Sequence, residues 1–183
     1  MKRKLDLPKL APWIAAVVAL VGAASVLRPT GAVRGMDLDA FGHVPVLEGG
    51  RVKPIDSLAR NALMMIRGKQ SARVDRDGDG EPETSIGADE WLLDVMFRPE
   101  LADHHPVFRV DDPDVLGLMG IAQSTQHDFS FATLAPHVEE IQRQARQAQM
   151  LEAQQRTRFQ SAVLNLFEKI YLYYRLKNTV QLD

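Results

Sequence analysis

The stretch Gly49-Gly50-Arg51-Val52-Lys53-Pro54-Ile55-Asp56-Ser57-Leu58-Ala59-Arg60-Asn61-Ala62-Leu63 sets a turn, a strand and a helix start one after another without filler. The Gly-Gly pair can supply the positive φ angles of a two-residue hairpin loop. Val44, Val46 and Leu47 before it, and Val52 after it, are strand material. Pro45 has no N–H to give a central ladder, so the first strand must be an edge. Beyond the hairpin, Ile55, Leu58, Ala59, Ala62, Leu63 and Ile66 recur at helical spacing, with Asp56 or Ser57 placed to cap that helix and Gly68 to stop it. The segment reads as scaffold. It pairs no nucleophile with a base, and Arg51, Lys53 and Arg60 read as surface charges.

On the N-terminal side, residues 10–27 carry no ionisable side chain and are mostly Ala, Val, Leu and Ile. As a helix they would extend about 27 Å, close to the ~30 Å of a bilayer's hydrocarbon core. Lys2, Arg3, Lys4 and Lys9 precede the run, and Trp13 sits near its start. An uncleaved anchor with its N-terminus inside and the rest of the chain outside is therefore expected. The alternative is a cleaved signal peptide, for which Gly22-Ala23-Ala24 supplies a small-x-small site. Residues 29–43, with Pro29, Gly31, Gly35 and alternating charges, read as a linker.

After the hairpin and its helix, Asp75-Arg76-Asp77-Gly78-Asp79-Gly80-Glu81-Pro82-Glu83 places Asp75, Asp77, Asp79 and Glu83 at positions 1, 3, 5 and 9 of a calcium-loop template. Position 12 holds Ile86 where the template needs a bidentate Glu. The segment thus reads either as a weak Ca²⁺ site or as an acidic turn between two helices. Residues 88–98 predict a short helix with Trp91, Leu92, Val95 and Met96 on one face, closed by Pro99. Val107 to Val110 predict a strand, and Asp112-Pro113 a helix start.

From a cap at Ser130 or Thr133 onward, with Pro136 in the first turn, neither glycine nor proline occurs again. Leu134, Val138, Ile141, Ala145 and Ala148 make one apolar stripe, and Phe159, Ala162, Val163, Leu166, Ile170 and Tyr173 a second. Between them the polar residues 149–158 lose the pattern, so two helices joined by a loop are expected rather than one long helix. Phe159, Leu166, Ile170 and Tyr173 should meet a core supplied by Leu58, Leu63, Trp91 and Leu92. The fold class is mainly α. It comprises an N-terminal transmembrane helix (1–28) and a helical extracytoplasmic domain (44–183) with a small β-hairpin and two long C-terminal helices.

The composition, 45% hydrophobic and 25% charged, is that of a globular chain. The absence of cysteine excludes disulfides, thiolate metal sites and thiol catalysis. Residues 1–28 hold five basic residues and one acidic one, so without them the net charge falls from −2 to −6. Such a surface does not suit nucleic acid, which requires a basic patch. The five histidines, His43, His104, His105, His127 and His137, show no ligand spacing, and adjacent His104 and His105 would point to opposite sides of an extended segment. No phosphate-binding glycine loop or acid-base pair is legible, so an enzyme is not expected.

Four segments, Gly49 to Arg60, Glu90-Trp91-Leu92-Leu93, Asp112-Pro113-Asp114-Val115-Leu116, and Phe129-Ser130-Phe131 with Leu134-Ala135-Pro136-His137, carry a likeness. Together they resemble the extracytoplasmic region of some large bacterial system II cytochrome c biogenesis proteins, haem-handling membrane proteins of the CcsA and CcsB type. The resemblance covers most of residues 41–178. That family's tryptophan-rich segment and the histidines flanking its membrane helices have no counterpart here, where only Trp13 and Trp91 occur, so no haem-ligand role passes to any residue.

The resemblance implies an accessory or N-terminal portion of such a system, held in the cytoplasmic membrane and facing the periplasm. It would dock to a polytopic cytochrome c assembly protein or to apocytochrome c, with no cofactor of its own. The alternative from the acidic segment is a periplasmic calcium-binding interaction module unrelated to haem, with Ca²⁺ as its cofactor.

Overall fold

The computed structural model describes residues 36–74, 84–122 and 127–180. The chain divides into two units, residues 1–39 and 40–183. The apolar run 10–27 lies outside the described residues. Among the described residues no helix is long and apolar enough to cross a membrane.

Where the sequence reads as linker there is a short helix, α1 (Leu38–Gly42), and the Asp37 carboxylate accepts the Asp39 N–H at 3.0 Å as it opens. The hairpin is present as expected. Strands β1 (Pro45–Glu48) and β2 (Arg51–Pro54) pair antiparallel with Glu48 opposite Arg51, and Gly49 and Gly50 take φ of 58° and 75°. Helix α2 (Ile55–Arg67) begins immediately after Pro54. Asp56 and Ser57 therefore fall inside its first turn and cap nothing, and Asp56 instead accepts from Arg60 Nε one turn on, at 2.8 Å. Gly68 ends the helix in the left-handed conformation, φ 80°, its N–H bonded to the Met64 carbonyl.

The next segment corrects the sequence reading. Strands β3 (Ser71–Val74) and β4 (Thr84–Gly87) form a second antiparallel hairpin, so residues 75–83 join two strands and not two helices. Helix α3 (Ala88–Phe97) follows. Pro99 opens a new turn, α4 (Pro99–Ala102), at whose first position a missing N–H costs nothing. Strand β5 (Pro106–Arg109) pairs with β6 (Asp128–Ser130), giving a third two-stranded sheet where a single hairpin was expected. Between them lies α5 (Pro113–Leu118), capped as expected by Asp112, whose Oδ1 accepts the Asp114 N–H at 3.0 Å.

Ser130 caps a short helix, α6 (Phe131–Leu134), and a 3-10 turn at Ala135–His137 accommodates Pro136. The long helices α7 (Val138–Gln149) and α8 (Arg158–Lys177) come next, and the polar interval between them is a loop. Arg156 Nε donates to the carbonyls of Ala148 and Leu151 at 3.0 and 3.2 Å, fastening the loop onto the C-terminal end of α7. Thr157 and Gln160 form a reciprocal capping box at the start of α8. Helix α8 packs along α7 and against α2 and α3. Leu166, Ile170 and Tyr173 are buried in one core with Leu63, Trp91 and Leu92, while Phe159 and Leu58 are half-buried at its margin.

Candidate functional site

Asp75, Asp77, Asp79 and Glu83 lie outside the described residues. Their flanks are described: Val74 pairs with Thr84, and Ile86, at position 12 of the calcium template, is a buried core residue. A bidentate ligand at that position is thus replaced by packing, and the helix–loop–helix frame of the template is replaced by a hairpin. Among the described residues no group of three or more His, Cys, Asp or Glu side chains could hold a metal ion.

The histidines fall apart in space. His43 and His104 are exposed and His137 is half-buried, while His127 Nδ1 lies 3.3 Å from the Asp111 carboxylate. His105 is buried. Its Nε2 lies 3.1 Å from Oδ2 of Asp94, a carboxylate equally buried on α3 whose other oxygen faces Arg98 one turn on. Such a pairing is what permits a carboxylate in an interior at all. It ties the segment before β5 to α3.

A second polar group holds α8. The Asp103 carboxylate accepts from Tyr173 Oη at 2.9 Å and from Lys177 Nζ at 2.7 Å, and the ammonium also sits 5.5 Å from the centre of the Phe131 ring. Tyr173 and Lys177 are one turn apart, so both reach one carboxylate. Burial first, and the Asp103 charge second, push the Tyr173 phenol well above its ordinary pKa. A phenol so held is a poor acid, and its chemistry is that of a latch.

Because the folded chain keeps this proton where the unfolded chain loses it, the latch contributes stability below about pH 10 that fades as pH rises further. Tyr173→Phe should lower stability by about 1 kcal/mol near neutrality. It should also remove this part of the alkaline loss. Urea melts of both proteins across that range check it, and parallel curves would refute the latch.

Elsewhere, Arg67 is buried and donates through Nε and Nη2 to Asp128 Oδ2 at 3.2 and 3.1 Å, tying α2 to β6. Lys169 Nζ donates to the Arg109 carbonyl at 2.8 Å, and burial lowers its pKa. All of these join separate elements, which is a structural use of charge. The buried Trp91 indole N–H has no partner among the described residues, a cost of about 1–3 kcal/mol that its packing volume must offset. Sequence reasoning missed each of these pairs, since nothing in local spacing signals them.

The surface offers more. Phe167, Tyr171 and Tyr174 stand at i, i+4 and i+7 on α8, beside the face that enters the core. Tyr171 is 58% exposed and Tyr174 38% exposed. Both are steadied by neighbours: Tyr171 stacks on Phe167 with centroids 6.5 Å apart, and Tyr174 meets Phe131 edge-on at 5.1 Å. Rigid, half-sheltered tyrosines are the side chains that dominate protein–protein contacts, because little rotamer entropy remains to be lost.

Fold and surface together define a mainly helical domain with small hairpins, polar pairs that join its elements, and two partly exposed tyrosines on α8. No family model matches the chain, and no curated protein matches it either. The four segments that carry the likeness described above supply Ile55, Trp91, Leu92, Val115, Phe131 and Leu134 to the core.

Proposed function

We infer that this chain is a membrane-anchored, periplasm-facing accessory module of system II cytochrome c biogenesis. It acts by docking to a polytopic haem-handling protein or to apocytochrome c, rather than by catalysis. The observation that carries the docking reading is the stripe of Phe167, Tyr171 and Tyr174 on α8. The four-segment resemblance supplies the pathway, and the cation cluster before residues 10–27 supplies the topology.

Deletion of the gene should lower covalent c-type haem in membrane proteins. The wild-type chain should restore it, and a folded Tyr171→Ala, Tyr174→Ala double variant should not, since hot-spot tyrosines each contribute more than about 1 kcal/mol of binding. A reporter fused after Asp183 should read the extracytoplasmic side. Unchanged haem staining in the deletion strain would overturn the assignment.

A further inference from the structure

The β1–β2 hairpin is folded with its apolar side out. Pairing of Pro45 with Pro54 and of Leu47 with Val52 puts these four residues on one face, and all four are exposed, Leu47 at 75% and Val52 at 73%. The opposite face carries Val46, Glu48, Arg51 and Lys53. There Val46 packs on the core and Lys53 Nζ bonds Glu48 at 2.9 Å. A slip of one residue would exchange the faces, but the Gly49-Gly50 loop holds the register that leaves Leu47 and Val52 in solvent.

The edges of the hairpin do not invite a strand. In a two-residue hairpin the backbone groups that point outward belong to residues 45, 47, 52 and 54, and two of these are prolines without an N–H. What is offered is therefore the side-chain face. Four such side chains present a few hundred Å² at most, against about 800 Å² per partner in a stable interface between soluble proteins. A second copy, or a freely diffusing protein, would not be held by this face alone.

A tethered contact needs far less, because the tether makes it intramolecular. Only residues 28–44 separate the apolar run 10–27 from β1, a reach of at most about 50 Å with α1 helical. Arg51 at the turn is exposed but belongs to the opposite face, so the contact is carried by the apolar side chains alone.

We propose that this face is a lipid-surface contact, in which Leu47 and Val52, flanked by Pro45 and Pro54, rest in the headgroup–acyl boundary of the bilayer that residues 10–27 enter. The inference rests on the reading of residues 10–27 as an anchor and is independent of any role in haem assembly. Haem staining tests the latter and leaves this contact untouched.

The chain contains no cysteine, so a single introduced thiol is a unique labelling site. The full-length variants Leu47→Cys, Val52→Cys and, as an exposed control on the loop after α7, Met150→Cys would each carry a nitrobenzoxadiazole probe. They would be reconstituted in vesicles of phosphatidylethanolamine and phosphatidylglycerol containing nitroxide-labelled acyl chains. The probes at 47 and 52 should be quenched and blue-shifted, reporting a depth of about 5–10 Å, while the probe at 150 reads water. Equal quenching at all three positions overturns the proposal, as does failure of the chain to associate with the vesicles. Ready disulfide formation between unlabelled Leu47→Cys chains without lipid quenching would assign the face to a second copy and likewise overturn it.

Discussion

Leu166→Ala should cost about 2–5 kcal/mol of folding stability, the range that buried Leu→Ala truncations span. Leu166 is buried on α8, in the same core as Leu63 of α2 and Trp91 and Leu92 of α3, and α8 packs on both of those helices as well as on α7. Truncation removes apolar surface and leaves a cavity. Walls drawn from several helices cannot all close on it at once, because each is fixed by contacts elsewhere. Thermal or urea denaturation reads the loss directly. A change below about 0.5 kcal/mol would mean that this face of α8 is not the core face, since surface substitutions fall in that range.

Asp94→Ala should cost about 3 kcal/mol, by a different route. The carboxylate is buried and faces Arg98 at the C-terminal cap of α3 and His105 from the segment before β5, so its removal strands two partners. Deleting one member of a buried pair typically costs 3–5 kcal/mol, and the lower end is expected here because Arg98 is 27% exposed and water can take over part of its solvation. His105→Ala removes the partner on the other element and leaves Asp94 with Arg98. It should cost less, about 1–3 kcal/mol. Chemical denaturation of the two variants checks both the size and the order. Equal, sub-kilocalorie losses would show that the pair does not hold α3 to β5.

The polar contacts between elements and the exposed faces carry different consequences. Asp94 with His105, Asp103 with Tyr173 and Lys177, and Arg67 with Asp128 each cross between elements, and substitution there should act through folding. Tyr171, Tyr174, Leu47 and Val52 are exposed, and substitution there should leave the fold intact while altering what the domain touches. This separation makes the functional and lipid experiments interpretable, since their variants are not expected to unfold.

The sequence by itself determined what local stereochemistry controls. Two adjacent glycines dictated the β1–β2 loop, Gly68 the end of α2, and Asp112 the start of α5. The loss of apolar period over 149–158 separated α7 from α8, and the stripe of Leu166, Ile170 and Tyr173 named the core face of α8.

Each of those signals resides in a few neighbouring residues, whose backbone angles or 3.6-residue spacing suffice. Tertiary structure alone decided that residues 75–83 are flanked by strands, that Asp128–Ser130 pairs with β5, and that Leu47 and Val52 face solvent while Val46 faces the core. It also placed Asp103 against a tyrosine 70 residues away. A four-residue strand is too short for its period to declare itself, and alternation names two faces without saying which is buried. A charge finds its partner only when packing brings distant elements together, so the acidic segment was legible as a motif while the ionic framework of the domain was not.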